Sequence, residues 1–314
     1  MKEIQIKLFK NGNRIKPFLK WAGGKSQLIN EIVKRLPDKI KRSKYIKKYI
    51  EPFVGGGALF FHLKSYYSIE KAVLIDINRE LIICYKVIQK EPNQLMTKLQ
   101  KLEKLFLSKS FAEREEIYYD TRALYNVRMN DFDYENYNFE WIDRASQTIF
   151  FNKTCFNGLF RQNKKGEFNV PMGSYKNPTI CQTENLFAVS NALENVEIIC
   201  GDFTEAEKYI TKESVVYYDP PYRPLNNTSS FKDYSKDGFN DKDQIRLANF
   251  YTKMHKKGAC QILSNSDPKN ANLDDDFFDE LYKEFKIDRV LANRMINCNG
   301  NLRGKIKEII ITNY

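Results

Sequence analysis

A strand-like run that ends in two consecutive prolines is the feature that most restricts the fold of this chain. Residues 214–218, Ser-Val-Val-Tyr-Tyr, have the composition of a buried strand, and Asp219-Pro220-Pro221-Tyr222 follows directly. Because proline has a fixed φ and no N–H, Pro220 can direct its carbonyl without needing a hydrogen-bond partner in the sheet. Open α/β sheets place their ligand sites outside the carboxyl ends of their strands, so this position is a candidate functional site.

The same four residues carry a specific chemistry. Asp219 and the carbonyl of Pro220 can accept two hydrogen bonds from one amino group, and the Tyr222 ring can stack on the base that bears that group. Asp219, Pro220, Pro221 and Tyr222 are therefore the candidate catalytic residues. A loop that merely enters a turn is the simpler interpretation, and the motifs described next make it less favoured.

Alternating strand and helix patterns predict an α/β fold. The apolar spacing from Leu28 to Leu36 predicts an amphipathic helix that is broken at Pro37, whereas residues 85–148 are mainly helical in pattern. We therefore expect a parallel-type sheet domain, residues 1–85 plus 190–314, interrupted by a mainly helical insertion at 86–189 that carries a β-hairpin. The predicted strands are 49–50, 72–75, 196–200, 214–218, 260–264, 287–291 and 307–312.

A glycine run between a predicted strand and a predicted helix indicates a ligand-binding turn. Gly55, Gly56 and Gly57 allow a ligand to approach the helix N-terminus closely, and Asp76, 21 residues after Gly55, can bind ribose hydroxyls at the end of the next strand. A dinucleotide fingerprint would need glycine where Phe60 stands, which disfavours NAD and leaves an adenosine-containing ligand. A tight turn without a ligand is the alternative.

The segment 17–25 imitates a phosphate-binding loop without being one. Gly24-Lys25-Ser26 matches the end of that motif, but Leu19 occupies the position of its first glycine. Trp21 and Lys25 can instead cover an apolar group and hold an amino-acid carboxylate. A plain capping loop explains the same residues equally well.

Gly201-Asp202-Phe203 follows the predicted strand 196–200. The Asp202 carboxylate can accept from an adenine amino group while the Phe203 ring stacks on the base. An ordinary helix N-cap is an equally good interpretation of this short motif.

The basic residues are concentrated in two segments. Residues 1–50 contain 15 Lys and Arg against 3 Asp and Glu, while the other 264 residues contain 36 against 37. Residues 151–180 hold five basic residues against Glu167 alone. This distribution favours a polyanionic partner, most simply nucleic acid, although a solvated lysine-rich surface is equally consistent with charge by itself.

Residues 151–176 combine basic, amide and aromatic side chains with turn-forming residues. Arginine can read guanine edges, apolar side chains can contact thymine methyl groups, and an aromatic ring can wedge between base steps. The segment therefore predicts an exposed DNA-contacting hairpin. A basic hairpin without that role is the alternative.

Cysteine and apolar patterns indicate a soluble intracellular protein. The six cysteines form no C-x-x-C pair and only two histidines accompany them, so we expect neither a structural zinc nor a disulfide framework, and free thiols fit a reducing cytoplasm. There is no run of about 18 apolar residues and no apolar signal region at the N-terminus, so neither membrane insertion nor export is expected.

Taken in order, these blocks resemble the Dam-type, D12-class family of DNA adenine-N6 methyltransferases and are most similar to GATC-modifying members of type II restriction–modification systems. The resemblance covers most of the chain and follows the family order: cofactor motifs first, then the recognition insertion, then the catalytic motif. The matching blocks are 17–25, 51–61, 76–78, 151–178, 201–203, 219–222, 263–267 and 303–314.

The resemblance implies S-adenosylmethionine as cofactor and no metal. Lys25 would face its methionine carboxylate, Asp76 its ribose, and Asp202 with Phe203 its adenine, while Asp219 would lie between cofactor and target. The full implied cofactor set is Trp21, Lys25, Phe53, Gly55, Gly57, Asp76, Asp202, Phe203 and Asp219.

The resemblance also implies how DNA is read. Lys20 and Arg161 match positions that contact the guanines of GATC. Phe156, Asn157, Leu159 and Pro171 match residues at the inner A·T pairs and the gap left by the displaced base, and Tyr175 completes the DNA-binding set. One departure is Ser174, where many relatives carry arginine, which removes a phosphate or flanking contact.

The implied protein is a Rossmann-like, class I methyltransferase that acts on N6 of a flipped-out adenine in double-stranded DNA, with a cognate restriction endonuclease as a possible partner. An RNA base methyltransferase is the nearest alternative, because that class shares the Asp-Pro-Pro-aromatic chemistry. A catalytically silent DNA-binding protein is another. The failed dinucleotide and P-loop matches disfavour other nucleotide-dependent chemistry.

Overall fold

A mostly parallel sheet organises the described part of the chain. The computed structural model describes residues 14–23, 27–223, 239–293 and 305–314. Within these residues the strands form one seven-stranded sheet in the order β3-β2-β1-β4-β5-β7-β6. The strands are β1 (Tyr45–Glu51), β2 (Ser68–Asp76), β3 (Val196–Cys200), β4 (Ser214–Tyr218), β5 (Cys260–Ser266), β6 (Lys286–Asn293) and β7 (Lys305–Thr312).

The pairing confirms the predicted Rossmann-like sheet and adds one antiparallel strand. β1 pairs in parallel with β2 and β4, and β4 pairs in parallel with β5. β7 runs antiparallel to both β5 and β6. The connection from β6 to β7 consists of residues 294–304. It is shorter than the crossover of about a dozen or more residues that a parallel pair needs, so an antiparallel pair is expected.

Ten α-helices lie in the described ranges, and local capping signals begin several of them. Pro37 separates α1 from α2, as the sequence predicts. Asn78 caps α4, and capping boxes at Ser110 and Asn240 begin α6 and α9. The helices are α1 (Ile29–Lys34), α2 (Asp38–Ser43), α3 (Ala58–Tyr66), α4 (Arg79–Lys90), α5 (Pro92–Leu107), α6 (Phe111–Arg128), α7 (Glu140–Thr154), α8 (Thr183–Ala192), α9 (Asp241–Lys256) and α10 (Phe277–Leu281).

The chain divides into two compact units. Unit 1 comprises Met1–Gly24, Gly55–Ser65 and Asn78–Cys200, and unit 2 comprises Lys25–Val54, Tyr66–Ile77 and Gly201–Tyr314. The core of unit 2 lies along its strands: all five residues of β4 are buried, as are Ile309, Ile310 and Ile311 of β7. Continuous apolar burial of this kind is typical of a strand with both faces covered.

The core of unit 1 is helical and contains a buried ion pair. Arg144 of α7 donates from Nε to Oε2 of Glu80 at 2.8 Å and from Nη2 to Oε1 at 2.5 Å. Its guanidinium lies 3.3 Å from the centroid of the Tyr125 ring. The pair joins α4 to α7, and both charged side chains are almost fully buried. Loss of either partner would therefore leave the other as an uncompensated buried charge.

Candidate active site and nucleic-acid interface

The Asp-Pro-Pro-Tyr motif lies where the sequence predicts it, directly after β4. Pro220 is buried and Pro221 is exposed, while Asp219 and Tyr222 are half-buried. Gln244 of α9 donates from Nε2 to the Pro221 carbonyl at 3.1 Å, which holds the departing chain. The motif therefore occupies the carboxyl end of a central strand, the usual ligand position in an open α/β sheet.

A chain of hydroxyl groups reaches Asp219 from the sheet. Ser264 Oγ, on the neighbouring strand β5, donates to Asp219 Oδ1 at 3.2 Å, and the Tyr217 hydroxyl lies 2.8 Å from Ser264 Oγ. An ionised carboxylate only accepts hydrogen bonds, so the Ser264 proton points to Asp219 and the Tyr217 hydroxyl donates to Ser264. Burial, with the nearby Asp219 charge, raises the pKa of Tyr217 far above its ordinary value, which keeps that donor protonated.

Tyr222 is anchored through its hydroxyl. It donates to the Glu308 carboxylate of β7, a strand residue that is only 8% exposed. Burial, together with the charges of Asp219 and Glu308, holds the pKa of Tyr222 well above its usual value. The ring is therefore fixed at its polar end by a neutral hydroxyl that can donate.

Sequence reasoning missed both Ser264 and Glu308. Each is a buried polar residue on a strand of the sheet, and that burial is the signal which could have found them. Neither partner follows from the sequence, since pairing with the motif depends on strand order.

The other described cofactor candidates of unit 2 lie at the ends of three strands, β1, β2 and β3. Gly201 N donates to the Asp76 carbonyl at 3.0 Å, which joins the chain after β3 to the chain after β2. The Phe53 and Phe203 ring centroids are 5.4 Å apart with an interplanar angle of 28°, and Phe203 is buried. The structure thus brings two carboxylate-bearing turns and two stacked rings into unit 2.

Asp202 caps the 3-10 helix Phe203–Lys208 and pairs with Arg246 of α9. Its Oδ1 accepts from Thr204 N at 3.1 Å and from Thr204 Oγ1 at 2.7 Å. Burial acts to raise the pKa of Asp202, but the hydrogen bonds from Arg246 and Thr204 outweigh it and the pKa falls below its ordinary value. Arg246 is a third residue that sequence reasoning missed.

Glycine is required at two positions of the turn before α3. Gly57 has φ +69°, and a Cβ there would lie 2.6 Å from the Tyr85 hydroxyl oxygen. Gly55 has φ +48°, and its Cβ would lie 3.1 Å from Trp21 Cδ1. Trp21 also stacks on Phe160 with ring centroids 5.7 Å apart. These residues belong to unit 1, whereas Lys25 lies outside the described residues.

The predicted hairpin is present in unit 1. Isolated antiparallel bridges join Cys155 to Met172 and Gln162 to Phe168. The turn closes where Asn163 N donates to the Glu167 carbonyl at 2.9 Å.

One buried amide ties the hairpin to the N-terminal loop. Asn152 Oδ1 accepts from Lys20 N at 3.0 Å, and its Nδ2 donates to the carbonyls of Lys20 and Gly158 at 2.8 and 2.9 Å. Lys20 Nζ donates to the Asn157 carbonyl at 2.7 Å. Lys20 and Asn157, two predicted DNA contacts far apart in sequence, are therefore neighbours. Asn152 supports this arrangement, and sequence reasoning assigned it no role.

The predicted DNA contacts are accessible. Phe156 is 57% exposed and Tyr175 is 42% exposed. Arg161 is exposed as well, and its Nε donates to Asn169 Oδ1 at 3.0 Å. Of the others, Lys20, Asn157 and Pro171 are exposed and Leu159 is half-buried.

Metal clusters and membrane-spanning helices are both absent from the described residues. Within the described ranges, no group of three or more His, Cys, Asp and Glu side chains is placed to hold a metal ion. The helices among those residues include none that is long and apolar enough to cross a bilayer.

The Rossmann-like sheet, with this motif after β4, defines the class: a methyltransferase. The profile of the D12 class N6 adenine-specific DNA methyltransferase family matches residues 21–296, and the chain belongs to that family. It is therefore a DNA adenine methyltransferase, and membership implies a methyl donor of the S-adenosylmethionine type.

Relatives named as methyltransferases or methylases match along nearly their whole length. The type II methyltransferase M.MjaIII of Methanocaldococcus jannaschii is 51% identical over 96% of this chain and 99% of its own. The type II methyltransferase M1.LlaDCHI of Lactococcus lactis subsp. cremoris is 38% identical over 98% of each chain. A DNA adenine methylase of Vibrio cholerae is 34% identical over 93% of this chain and 94% of its own.

Proposed function

We propose that the enzyme transfers the methyl group of S-adenosylmethionine to N6 of a flipped-out adenine within GATC in duplex DNA. The observation that carries this proposal is the Asp219–Tyr222 motif at the end of β4, with Asp219 held by Ser264 and Tyr222 held by Glu308.

Asp219 and Pro220 make the amino nitrogen reactive. The lone pair of an adenine amino group is delocalised into the ring, so the nitrogen is a poor nucleophile. Hydrogen bonds from its two N–H groups to the Asp219 carboxylate and the Pro220 carbonyl pyramidalise the nitrogen and localise that lone pair. Since Ser264 fixes the Asp219 carboxylate, most of the rate enhancement comes from positioning.

Access to N6 requires the base to leave the duplex. An amino group inside the base stack cannot reach the motif, so the target adenine is extruded and stacked on the Tyr222 ring. The Glu308 contact holds that ring while the base enters. Phe156, exposed and held through its N–H by the Pro171 carbonyl at 2.8 Å, is suited to fill the gap in the stack.

The residues present fit S-adenosylmethionine. Gly55 and Gly57 keep the turn before α3 free of side chains, and the carboxylates of Asp76 and Asp202 are acceptors for ribose hydroxyls and the adenine amino group. When bound, the cofactor supplies an electrophilic sulfonium methyl group. The residues proposed to hold it are Trp21, Lys25, Phe53, Gly55, Gly57, Asp76, Asp202, Phe203 and Asp219.

GATC recognition is assigned to the hairpin and the loop it holds. Lys20 and Arg161 contact guanines, because cationic side chains suit the O6 and N7 acceptors of that base. Asn157, Leu159 and Pro171 contact the inner A·T pairs, and Tyr175 is a further DNA contact. Ser174, where relatives carry arginine, weakens a phosphate or flanking contact.

We propose that two parts of the chain have different functions. Residues 1–85 with 190–314 bind the cofactor and catalyse, and residues 86–189 recognise DNA. Because two relatives are named type II methyltransferases, we further propose a cytoplasmic role beside a cognate restriction endonuclease that cuts the same site.

A methylation map tests reaction and site together. The purified protein is incubated with S-adenosylmethionine and unmethylated plasmid, and N6-methyladenine is located by single-molecule sequencing. We expect marks on the adenine of GATC alone. Marks in another short motif would refute the recognition assignment, and a folded protein that leaves DNA unmarked but methylates structured RNA would refute the substrate.

A further inference from the structure

The partner of Asp202 in unit 2 has no assigned role. Arg246, on α9, donates from Nη1 to Asp202 Oδ1 at 2.8 Å and from Nη2 to Oδ2 at 2.9 Å. Two parallel bonds of this kind fix both the distance and the plane of the carboxylate. A lysine could supply the charge but not this orientation.

A ring contact adds to the rigidity of the pair. The Arg246 guanidinium carbon lies 4.3 Å from the centroid of the Phe203 ring, and Phe203 also stacks on Phe53. The side chains of Arg246 and Asp202 are 45% and 33% exposed, so the ion pair alone contributes little to stability. Its bidentate geometry, with the guanidinium over the ring, instead determines where the Asp202 oxygens point.

The hydrogen bonds at Asp202 are distributed unevenly. Oδ1 accepts from Thr204 N, Thr204 Oγ1 and Arg246 Nη1, whereas among the described residues Oδ2 accepts from Arg246 Nη2 alone. A carboxylate oxygen has two lone pairs, so Oδ2 retains acceptor capacity. The lowered pKa of Asp202 keeps the group ionised at neutral pH, and it can then accept but not donate.

We propose that Arg246 is a positioning residue that holds Asp202 Oδ2 as the acceptor for the 6-amino group of the cofactor purine, and thereby selects adenine over a 6-keto purine. The inference rests on the proposed function, in which Asp202 contacts the cofactor. A 6-keto oxygen facing the fixed carboxylate would place two acceptors together, which is unfavourable for both.

The test compares two ligands that differ at one group. Calorimetry gives Kd for S-adenosylhomocysteine and for its analogue with a 6-keto oxygen, in the wild type, in Arg246→Ala and in Arg246→Lys. We expect the alanine variant to bind S-adenosylhomocysteine about tenfold more weakly and to lose most of the wild-type discrimination. The lysine variant keeps a charge near Asp202, so its affinity and its discrimination should lie between those of the wild type and of Arg246→Ala. At saturating S-adenosylmethionine, kcat should change little while KM rises.

Lys253→Ala is the matched control. Lys253 lies on the same helix and pairs with Glu207 of the 3-10 helix that Asp202 caps, but neither member of that pair belongs to the proposed cofactor set. It should leave both dissociation constants unchanged.

The possible results distinguish a failure of the Arg246 inference from a failure of the proposed function. Wild-type discrimination in a folded Arg246→Ala or Arg246→Lys variant, even with a lowered Tm, would reduce Arg246 to a structural contact and overturn the inference. A wild-type protein that binds neither ligand would instead overturn the proposed function.

Discussion

At the scale of single residues, Asp219 is oriented by a hydroxyl group supplied by another strand. Asp219 is held by Ser264, and Ser264 by Tyr217, so orientation is transmitted from the buried interior of the sheet to the motif. In the proposed mechanism the motif supplies the hydrogen-bond acceptors for the amino group, and the neighbouring strand orients the Asp219 carboxylate.

Removing the acceptor and removing its support should have different effects. We expect Asp219→Ala to abolish measurable methyl transfer while the variant still binds DNA. Ser264→Ala should lower kcat by roughly tenfold to a hundredfold with little change in KM, because a carboxylate misplaced by a fraction of an ångström loses its alignment. Steady-state methylation over a range of GATC duplex concentrations gives kcat and KM, and fluorescence anisotropy measures DNA binding.

Ser264→Thr is the control for that prediction, since it retains the hydroxyl on a strand that tolerates β-branched residues. Near-wild-type turnover in Asp219→Ala would refute the mechanism. A Ser264→Ala variant as fast as the wild type would show that Asp219 is oriented by its own turn.

At the scale of elements, unit 1 depends on the ion pair between α4 and α7. Glu80 and Arg144 are almost fully buried, and the Tyr134 hydroxyl donates to Glu80 Oε1 at 2.8 Å. Desolvation of Arg144 acts to lower its pKa, but the nearby Tyr125, Glu80 and Tyr134 outweigh it and raise the pKa above its ordinary value. Arg144 therefore stays charged at neutral pH, and removing either member of the pair leaves the other buried without its partner.

Arg144→Met should destabilise the protein by about 3–5 kcal/mol, because the Glu80 carboxylate is left buried without its partner. Chemical denaturation monitored by circular dichroism measures the loss. Lys98→Ala breaks the exposed pair between α5 and α7 and should cost less than about 1 kcal/mol. Equal losses in the two variants would show that the buried charge is compensated by other groups.

Helix and strand positions followed closely from the sequence because their causes are local. The predicted strand 214–218 matches β4 in full, and Pro37 does separate two helices. The antiparallel placement of β7 did not follow, since sheet order depends on how distant strands pair.

At the scale of the whole molecule, the same distinction separates site residues that the sequence predicts from those it does not. Asp219 is predicted from its local motif, and Arg161 is predicted from the family resemblance of its segment. Ser264, Glu308 and Arg246 act through contacts with residues 45, 86 and 44 positions away, and no local pattern encodes those distances. A buried polar residue on a strand marks a position as unusual, but only the fold identifies its partner.

Charge is also a property of the whole chain, and its effect on DNA binding should be separable from base recognition. The chain carries a net charge of +11, and Arg161 and Lys165 are both exposed on the same hairpin. A cation that contacts a base edge contributes specificity, whereas one that contacts phosphate contributes affinity to any sequence.

Arg161→Ala should therefore cost roughly 1–3 kcal/mol of discrimination and relax the choice at one base pair. Lys165→Ala, at the tip of the hairpin turn, should weaken binding to all duplexes alike and reduce the slope of log K against log salt concentration by about one. Fluorescence anisotropy with GATC and single-substitution duplexes, over a series of salt concentrations, distinguishes the two effects. If Arg161→Ala lowered every affinity equally and left the base preference intact, Arg161 would be a phosphate contact and guanine recognition would have to come from Lys20 or another residue.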